Sequence, residues 1–505
     1  MPSLADMVFV CAFFKLTFSV PLLNDPDIGW HIRNGEHILS THAVPRADYF
    51  SYTMAGRPWY AWEWLYDVLI AGIHAVARLN GVVLFSALAV ALTFTLLFRL
   101  AFKASGNLPV AFGLTFLAGA ASSIHLMARP HVLTWLSTLI WFRLLDSHSR
   151  GERRSVFLLP ILMVLWVNMH GGFLVGLALL VLFAGADLWT VISTASSELR
   201  AAAQERARRL ALVLLLSLGA TLITPYGYRL YAHLFGYLSN RFLMDNISEF
   251  LSPDFHLLQV KAFALLLIIA FVAIAINPRR TTGRDLLLVA FAAWIGLYAA
   301  RSLPIASILL TLTLAPMLGE GLKALKEQKE LAAWLRRGME KVEGFSSRTV
   351  AMEELFNRHV LAAVAAGLIT VIACSAKADS LKTMHFDDQH LPVQAAGYMA
   401  AHNIRDHFYS PDSWSGYLIY RLYPQIHVML DDRHDFYGEA FLRDCLKVWH
   451  VGYGWQQMLD TYDVQWVVIP ADSSLSNTLK IASGWTVIHD DHTAIIFERT
   501  ASLKK

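Results

Sequence analysis

The stretch Asp25-Pro26-Asp27-Ile28-Gly29-Trp30-His31 follows the first apolar run of the chain. It opens a polar, aromatic-rich segment that extends to Trp62-Glu63-Trp64. Carboxylates at the edge of an apolar bundle can take a proton from a hydroxyl, and two of them one residue apart can hold a divalent cation. Pro26 fixes the backbone between Asp25 and Asp27 and helps keep both side chains at the helix mouth. The plainer account of the pair is helix termination and loop solvation. Lone cations and imidazoles stand at the ends of later apolar runs: Arg129 and His131 in Ala128-Arg129-Pro130-His131, His170 ahead of Gly171-Gly172, and Arg301. Arginine there can grip a phosphate bidentately or snorkel to the interface. The double glycine after His170 permits close backbone approach to a cavity, or simply a hairpin.

These residues are set in a chain of 505 residues that is 56% hydrophobic and 16% charged, with a mean hydropathy of +0.45. Repeated apolar runs of about 20 residues argue for a polytopic α-helical membrane protein. A net charge of +3, with no basic tract interleaved with aromatics, excludes a nucleic-acid partner. Cys11, Cys374 and Cys445 have no disulfide or zinc spacing. The first run carries Asp6, no early basic residue and no small-x-small site, so it reads as a retained helix rather than a signal peptide.

The apolar runs predict about eleven transmembrane helices: Leu4–Leu23, Val82–Leu100, Pro109–Met127, Val132–Leu145, Val156–Met169, Phe173–Thr194, Leu210–Thr224, Ala262–Ile276, Leu286–Ala300, Leu303–Leu318 and Val360–Cys374. Asn24–Tyr60 reads as a loop with two helical pieces. Trp62–Leu79, interrupted by Glu63, Asp67, His74 and Arg78, reads as a helix lying at the interface. If it does not span, the basic loops around Arg150, Arg153 and Arg154, Arg200–Arg209, Arg279–Arg284 and Lys323–Arg358 share one side, the cytoplasmic one. The N-terminus is then cytoplasmic. Asp27, Glu63, Arg129, His131, His170 and Arg301 fall on the outer face of the inner (cytoplasmic) membrane.

After Cys374 the composition becomes mixed and polar. Strand-like runs at Val428–Leu430, Val464–Ile469, Thr486–His489 and Ala494–Phe497, with helical stretches such as Gly454–Tyr462 between them, predict a small α/β domain outside the membrane. The expected division is 1–376 for the membrane domain, including the outer loop and interfacial helix at 24–79, and 377–505 for the extracytoplasmic α/β domain.

This layout resembles the GT-C superfamily of membrane glycosyltransferases, in particular its protein-mannosyltransferase and lipid A aminoarabinose-transferase branch in bacteria. The resemblance rests on architecture to about residue 378, with acids after the first helix and a second acid opening a juxtamembrane helix. It departs in motif. Family members often carry an adjacent Asp-Glu pair where this chain has Asp25 and Asp27, and a lysine-proline run where it has Trp62-Glu63-Trp64. The C-terminal part looks like the outer domain of other bacterial members, with Asp412-x-Trp414-x-Gly416-Tyr417-Leu418 and Asp431-Asp432-Arg433.

The resemblance implies an inverting sugar transfer from a polyprenyl-phosphate donor to a lipid, glycan or protein acceptor in the cell envelope. Asp27 would be the general base, with Asp25 its partner or the base itself. Glu63 would bind acceptor or orient the sugar. Arg301, or else Arg129, would bind the donor phosphate, and His131, His170, His31 and Trp62 would line the donor and acceptor sites. Trp62 would stack on a sugar or anchor the helix. No cofactor is expected, apart from a divalent metal at Asp25 and Asp27. Two other readings stand beside this one. A lipid or solute transporter would use buried charges such as Lys15 and Asp187, although no internal repeat accompanies them. A scaffold would use only its outer domain. The Asn246-Ile247-Ser248 sequon is common by chance.

Overall fold

The computed structural model describes residues 3–152, 154–277, 281–355, 359–375 and 381–500. The expected boundary at 376/377 and the basic residues Arg153, Arg279, Arg280 and Arg358 lie outside the described residues.

Each apolar run named above contributes to a helix. The first is Leu4–Phe18, capped by Ser3, whose hydroxyl accepts from the Asp6 amide while Asp6 reaches back to the Ser3 amide. The juxtamembrane stretch and the following span form one run, Trp64–Ser105, broken at Arg78, where φ is 54°. Among the described residues, five helices are long and apolar enough to cross a membrane: Trp64–Ser105, Leu108–His125, Phe173–Ser193, Leu258–Ile276 and Ala300–Glu327. Others expected to span are shorter, such as Gly283–Tyr298 with 16 residues. Ser197–Ala220 opens with a charged first half.

Two local expectations are corrected. Residues 24–60 hold one α-helix of two expected, Ile28–Thr41, followed by an irregular segment that folds on itself through an Ala47–Pro58 bridge. Val428–Leu430 is not a strand of the sheet. The Val428 amide donates to the Phe50 carbonyl and the Tyr52 amide donates to the Val428 carbonyl, both at 3.0 Å, so its partner is the first loop. The C-terminal sheet instead takes β1 (Phe408–Tyr409), β2 (Trp466–Pro470), β3 (Trp485–Asp490) and β4 (Ala494–Arg499), in the order β1-β2-β4-β3. β1 and β2 are parallel; the other pairs are antiparallel.

The first loop and the C-terminal part are packed together rather than merely adjacent. A side chain at Gly29 would run into the Gly416 carbonyl, and one at Gly416 into the Pro26 carbonyl, so these two glycines let helix Ile28–Thr41 lie directly on helix Asp412–Leu422. Arg433 completes the join. Its guanidinium donates to Asp431 at 2.8 and 2.6 Å and to Asp48 at 2.7 Å, and lies 4.4 Å from the centre of the Trp59 ring. The Gly416 and Arg433 motifs thus act structurally, fixing the C-terminal part against the loop that carries Asp25 and Asp27.

Candidate functional site

A cavity of about 1020 Å³ lies between the helix ends and the C-terminal part, and all nine side chains singled out from the sequence line it: Asp25, Asp27, Glu63, Arg129, Arg301, His131, His170, His31 and Trp62. The chain brings them together from widely separated turns. Asp25 and Asp27 precede helix Ile28–Thr41, with Asp25 accepting from the Asp27 amide at 3.0 Å. Arg129 sits on the turn before helix His131–Ser149, held to the end of the first helix region by an Ala128 amide–Leu22 carbonyl bond of 2.8 Å. His170 lies on the turn before helix Phe173–Ser193, where the Trp64 indole donates to Asn168 at 2.7 Å and so ties that turn to Glu63.

At one end of the cavity Arg129 is surrounded by acids. Its guanidinium meets Asp25 at 3.1 Å, Glu249 at 2.9 Å, Asp432 at 2.7 Å, and Asp27 in close contact. Four carboxylates therefore share one guanidinium. Burial, together with Asp432 and Glu249, outweighs Arg129 at Asp25, whose pKa is raised to about 6. At Asp432 burial is outweighed by His434 and Arg129, which hold the carboxyl below its usual range. Glu249 is not singled out from the sequence, and Asp432 enters it only within the Asp431-Asp432-Arg433 run. Asp432 comes from a loop 303 positions beyond Arg129, and no local pattern connects them.

At the other end, His31 Nδ1 lies 2.6 Å from Asp67 Oδ1, and Asn34 Nδ2 donates to Asp67 Oδ2 at 2.5 Å. His31 Nε2 is 3.9 Å from Glu63, and His170 Nε2 is 3.7 Å from the other Glu63 oxygen. Burial and the nearby Asp67 push the Glu63 carboxyl well above the ordinary range. Burial, with Arg301 next, pushes His170 well below its own. Asp67, read from the sequence only as an interruption of an apolar helix, is the residue on which this end is built.

Arg301 lines the same cavity, with its guanidinium 4.6 Å from the centre of the Phe250 ring, and it forms no ion pair among the described residues. His131 is turned from the carboxylates: its Nε2 donates to the His125 carbonyl at 2.8 Å. Trp62 packs edge-on to His233, 5.5 Å between centroids. The metal expected at Asp25 and Asp27 meets a competitor, since both carboxylates are engaged by Arg129. Asp412, Asp432 and His434 present ligand atoms within 4.8 Å of one another, and this is the group that could hold a cation. The charges assigned to a transport path do not converge: Asp187 is paired with Arg206 at 2.6 and 2.8 Å, and Lys15 is exposed.

No family model matches the sequence, and no curated protein matches it. The fold does have solved relatives. The oligosaccharyltransferase of Archaeoglobus fulgidus in its apo form aligns over 98% of this chain and 74% of its own, with a TM-score of 0.54 and 11% identity. The same archaeal enzyme, AglB, in complex with an inhibitory peptide and a dolichol-phosphate aligns over 99% and 74%, at 0.53 and 11%. ArnT from Cupriavidus metallidurans bound to undecaprenyl phosphate aligns over 98% of both chains, at 0.48 and 14%. The oligosaccharyltransferase alignments show that this chain shares the fold of the archaeal enzyme.

Proposed function

We propose that this chain is a membrane glycosyltransferase that takes a sugar from a polyprenyl-phosphate donor and transfers it, with inversion, to an acceptor on the outer face of the membrane. The observation that carries the proposal is the cavity, in which carboxylates, imidazoles and two arginines from separate turns converge beside apolar helices. The archaeal oligosaccharyltransferase of the same fold is described with a dolichol-phosphate, which supports a lipid phosphate here. In this reading residues 1–376 hold the lipid. The sheet-containing part, within 377–505, closes the outer wall through Asp432 and Arg433.

Arg301 is the phosphate-binding cation, because it forms no ion pair among the described residues and a guanidinium in a partly apolar site gains most from an anion. Arg129 is the second. Asp27 enters catalysis through Arg129. The Arg129 guanidinium lies against the Asp27 carboxylate and occupies the oxygen that would take a proton. We therefore move the base role expected of Asp27 away from it and assign Asp25 and Asp27 to aiming Arg129 at the departing phosphate. Glu63 orients the acceptor. The acceptor is a lipid, glycan or exported protein.

The test is a structure with undecaprenyl phosphate bound and a transfer assay with labelled undecaprenyl-phosphate sugars. The expected result is a phosphate within hydrogen-bonding distance of Arg301 or Arg129, and a loss of about a hundredfold in kcat for Arg301→Met. Lipid or sugar flux in proteoliposomes without any covalent product would replace this reading with transport.

A further inference from the structure

The transferase reading leaves open where the acceptor's proton goes, and the end of the cavity away from Arg129 supplies an answer. His31 and Asn34 stand one turn apart on helix Ile28–Thr41, and both point at Asp67 in the first turn of Trp64–Ser105. Asn34 is fixed in turn by the Tyr49 hydroxyl, which donates to its Oδ1 at 2.6 Å. Gly35 makes the approach possible, since a side chain there would run into the Asp67 carbonyl. His31 and Asp67 are 2% and 1% exposed, so neither is a surface pair.

With Asp67 ionised, the hydrogen bonds assign the protons. An ionised Asp67 carboxylate only accepts, so His31 Nδ1 carries a hydrogen and, in the neutral ring, Nε2 keeps its lone pair. His170 is arranged in the opposite sense. Its Nδ1 accepts from the Gly172 amide at 3.0 Å, so its Nε2 carries the hydrogen and faces Glu63. The 3.9 Å between His31 Nε2 and Glu63 is too long for a hydrogen bond, so the Nε2 lone pair is left for an incoming hydroxyl beside Glu63.

We propose that His31 Nε2 is the general base of the transfer, with Asp67 as its positioning residue; this rests on the transferase reading above. The acceptor O–H gives its proton to Nε2 as its oxygen forms a bond to the anomeric carbon. The bond from that carbon to the phosphate oxygen breaks, and its electron pair leaves with the polyprenyl phosphate. The imidazolium is held by Asp67 until the proton passes to water.

The test uses the full chain in nanodiscs, with mannosyl-, glucosyl- and arabinosyl-undecaprenyl phosphate as labelled donors and a total cell-envelope extract of lipids, glycans and proteins as acceptor. His31→Gln lowers kcat by about 10²–10⁴-fold with donor KM unchanged, the range for a lost general base. Exogenous imidazole restores part of the rate to His31→Ala. Asp67→Asn lowers kcat by at least about a hundredfold, because it offers an N–H to Nδ1 and moves the ring hydrogen to Nε2. The ¹⁵N shifts of His31 report that exchange, which a merely structural role would not produce, and Asp67→Glu recovers part of the rate. A His31→Gln variant that transfers sugar at the wild-type kcat overturns the base assignment alone. A wild-type protein that transfers none of the three sugars overturns the transferase reading and the base with it.

Discussion

The two ends of the cavity neutralise buried acid in different ways. Around Arg129, four carboxylates depend on one permanent cation whose charge no accessible pH removes. Around Asp67, the partners are an amide and an imidazole, and the second acid, Glu63, is flanked by two imidazoles at non-bonding distance. The first arrangement keeps its cation at every pH. The second can gain and lose a proton. On the proposed reading, phosphate binding falls to the arginines and proton movement to the His31–Asp67 pair.

The largest expected effect comes from removing the cation. Arg129→Met leaves Asp25, Asp27, Glu249 and Asp432 facing one another without a counter-charge. Breaking a buried pair in this way costs on the order of 3 kcal/mol, the low end of its range because the rim is open to water. Thermal melting should show that loss, together with loss of transfer. Arg129→Lys should recover stability but little activity, since an ammonium cannot reach several carboxylates in the guanidinium's planar geometry. A Met variant as stable as wild type would mean that the four acids are not held apart by Arg129.

The other end can be broken without touching a charge. Gly35→Ala forces helix Ile28–Thr41 away from the Asp67 carbonyl. The expected cost is about 1–3 kcal/mol, typical of overpacking, with a fall in kcat that tracks that of Asp67→Asn. Phosphate binding at Arg301 and Arg129 should survive. If Gly35→Ala transfers sugar at full rate, close helix packing is not what sets the His31–Asp67 geometry.

The contrast between the ends also explains what could be read from the sequence. Asp25, Asp27, Arg129 and Arg301 are conspicuous because a charge next to an apolar run needs a reason, and all four line the cavity. Helix positions were legible for the same reason, through the length of the apolar runs. The number of crossings was not, because several helices are short or begin with charged turns. Asp67 was hidden by its own helix, although His31 and, one turn on, Asn34 and Gly35 on the same face were a usable signal for a partner. Asp432 and the Val428 pairing had no such signal. Their partners, Arg129 and residues 50–52, lie hundreds of positions earlier, and only the docking of the C-terminal part joins them.

The smallest effect distinguishes the two ends by pH. Burial, then Asp67, raises the Glu63 carboxyl well above the ordinary glutamate value, with Arg301 opposing. The folded state therefore holds the Glu63 proton more tightly than the unfolded chain does. That contribution to stability is complete below the unfolded pKa and is lost as pH rises through the folded one. Glu63→Gln keeps the shape and removes the titration, so its melting temperature should fall less than that of wild type between about pH 5 and about pH 8. His170 works in the opposite direction: its pKa is lowered by burial, so its contribution is present above the ordinary histidine value and lost as pH falls through its folded one. His170→Gln should therefore flatten the acid side and leave the alkaline side alone. Identical pH profiles for wild type and Glu63→Gln would show that Glu63 holds no extra proton. The gap between it and His31 would then be a place for a cation rather than for a hydroxyl.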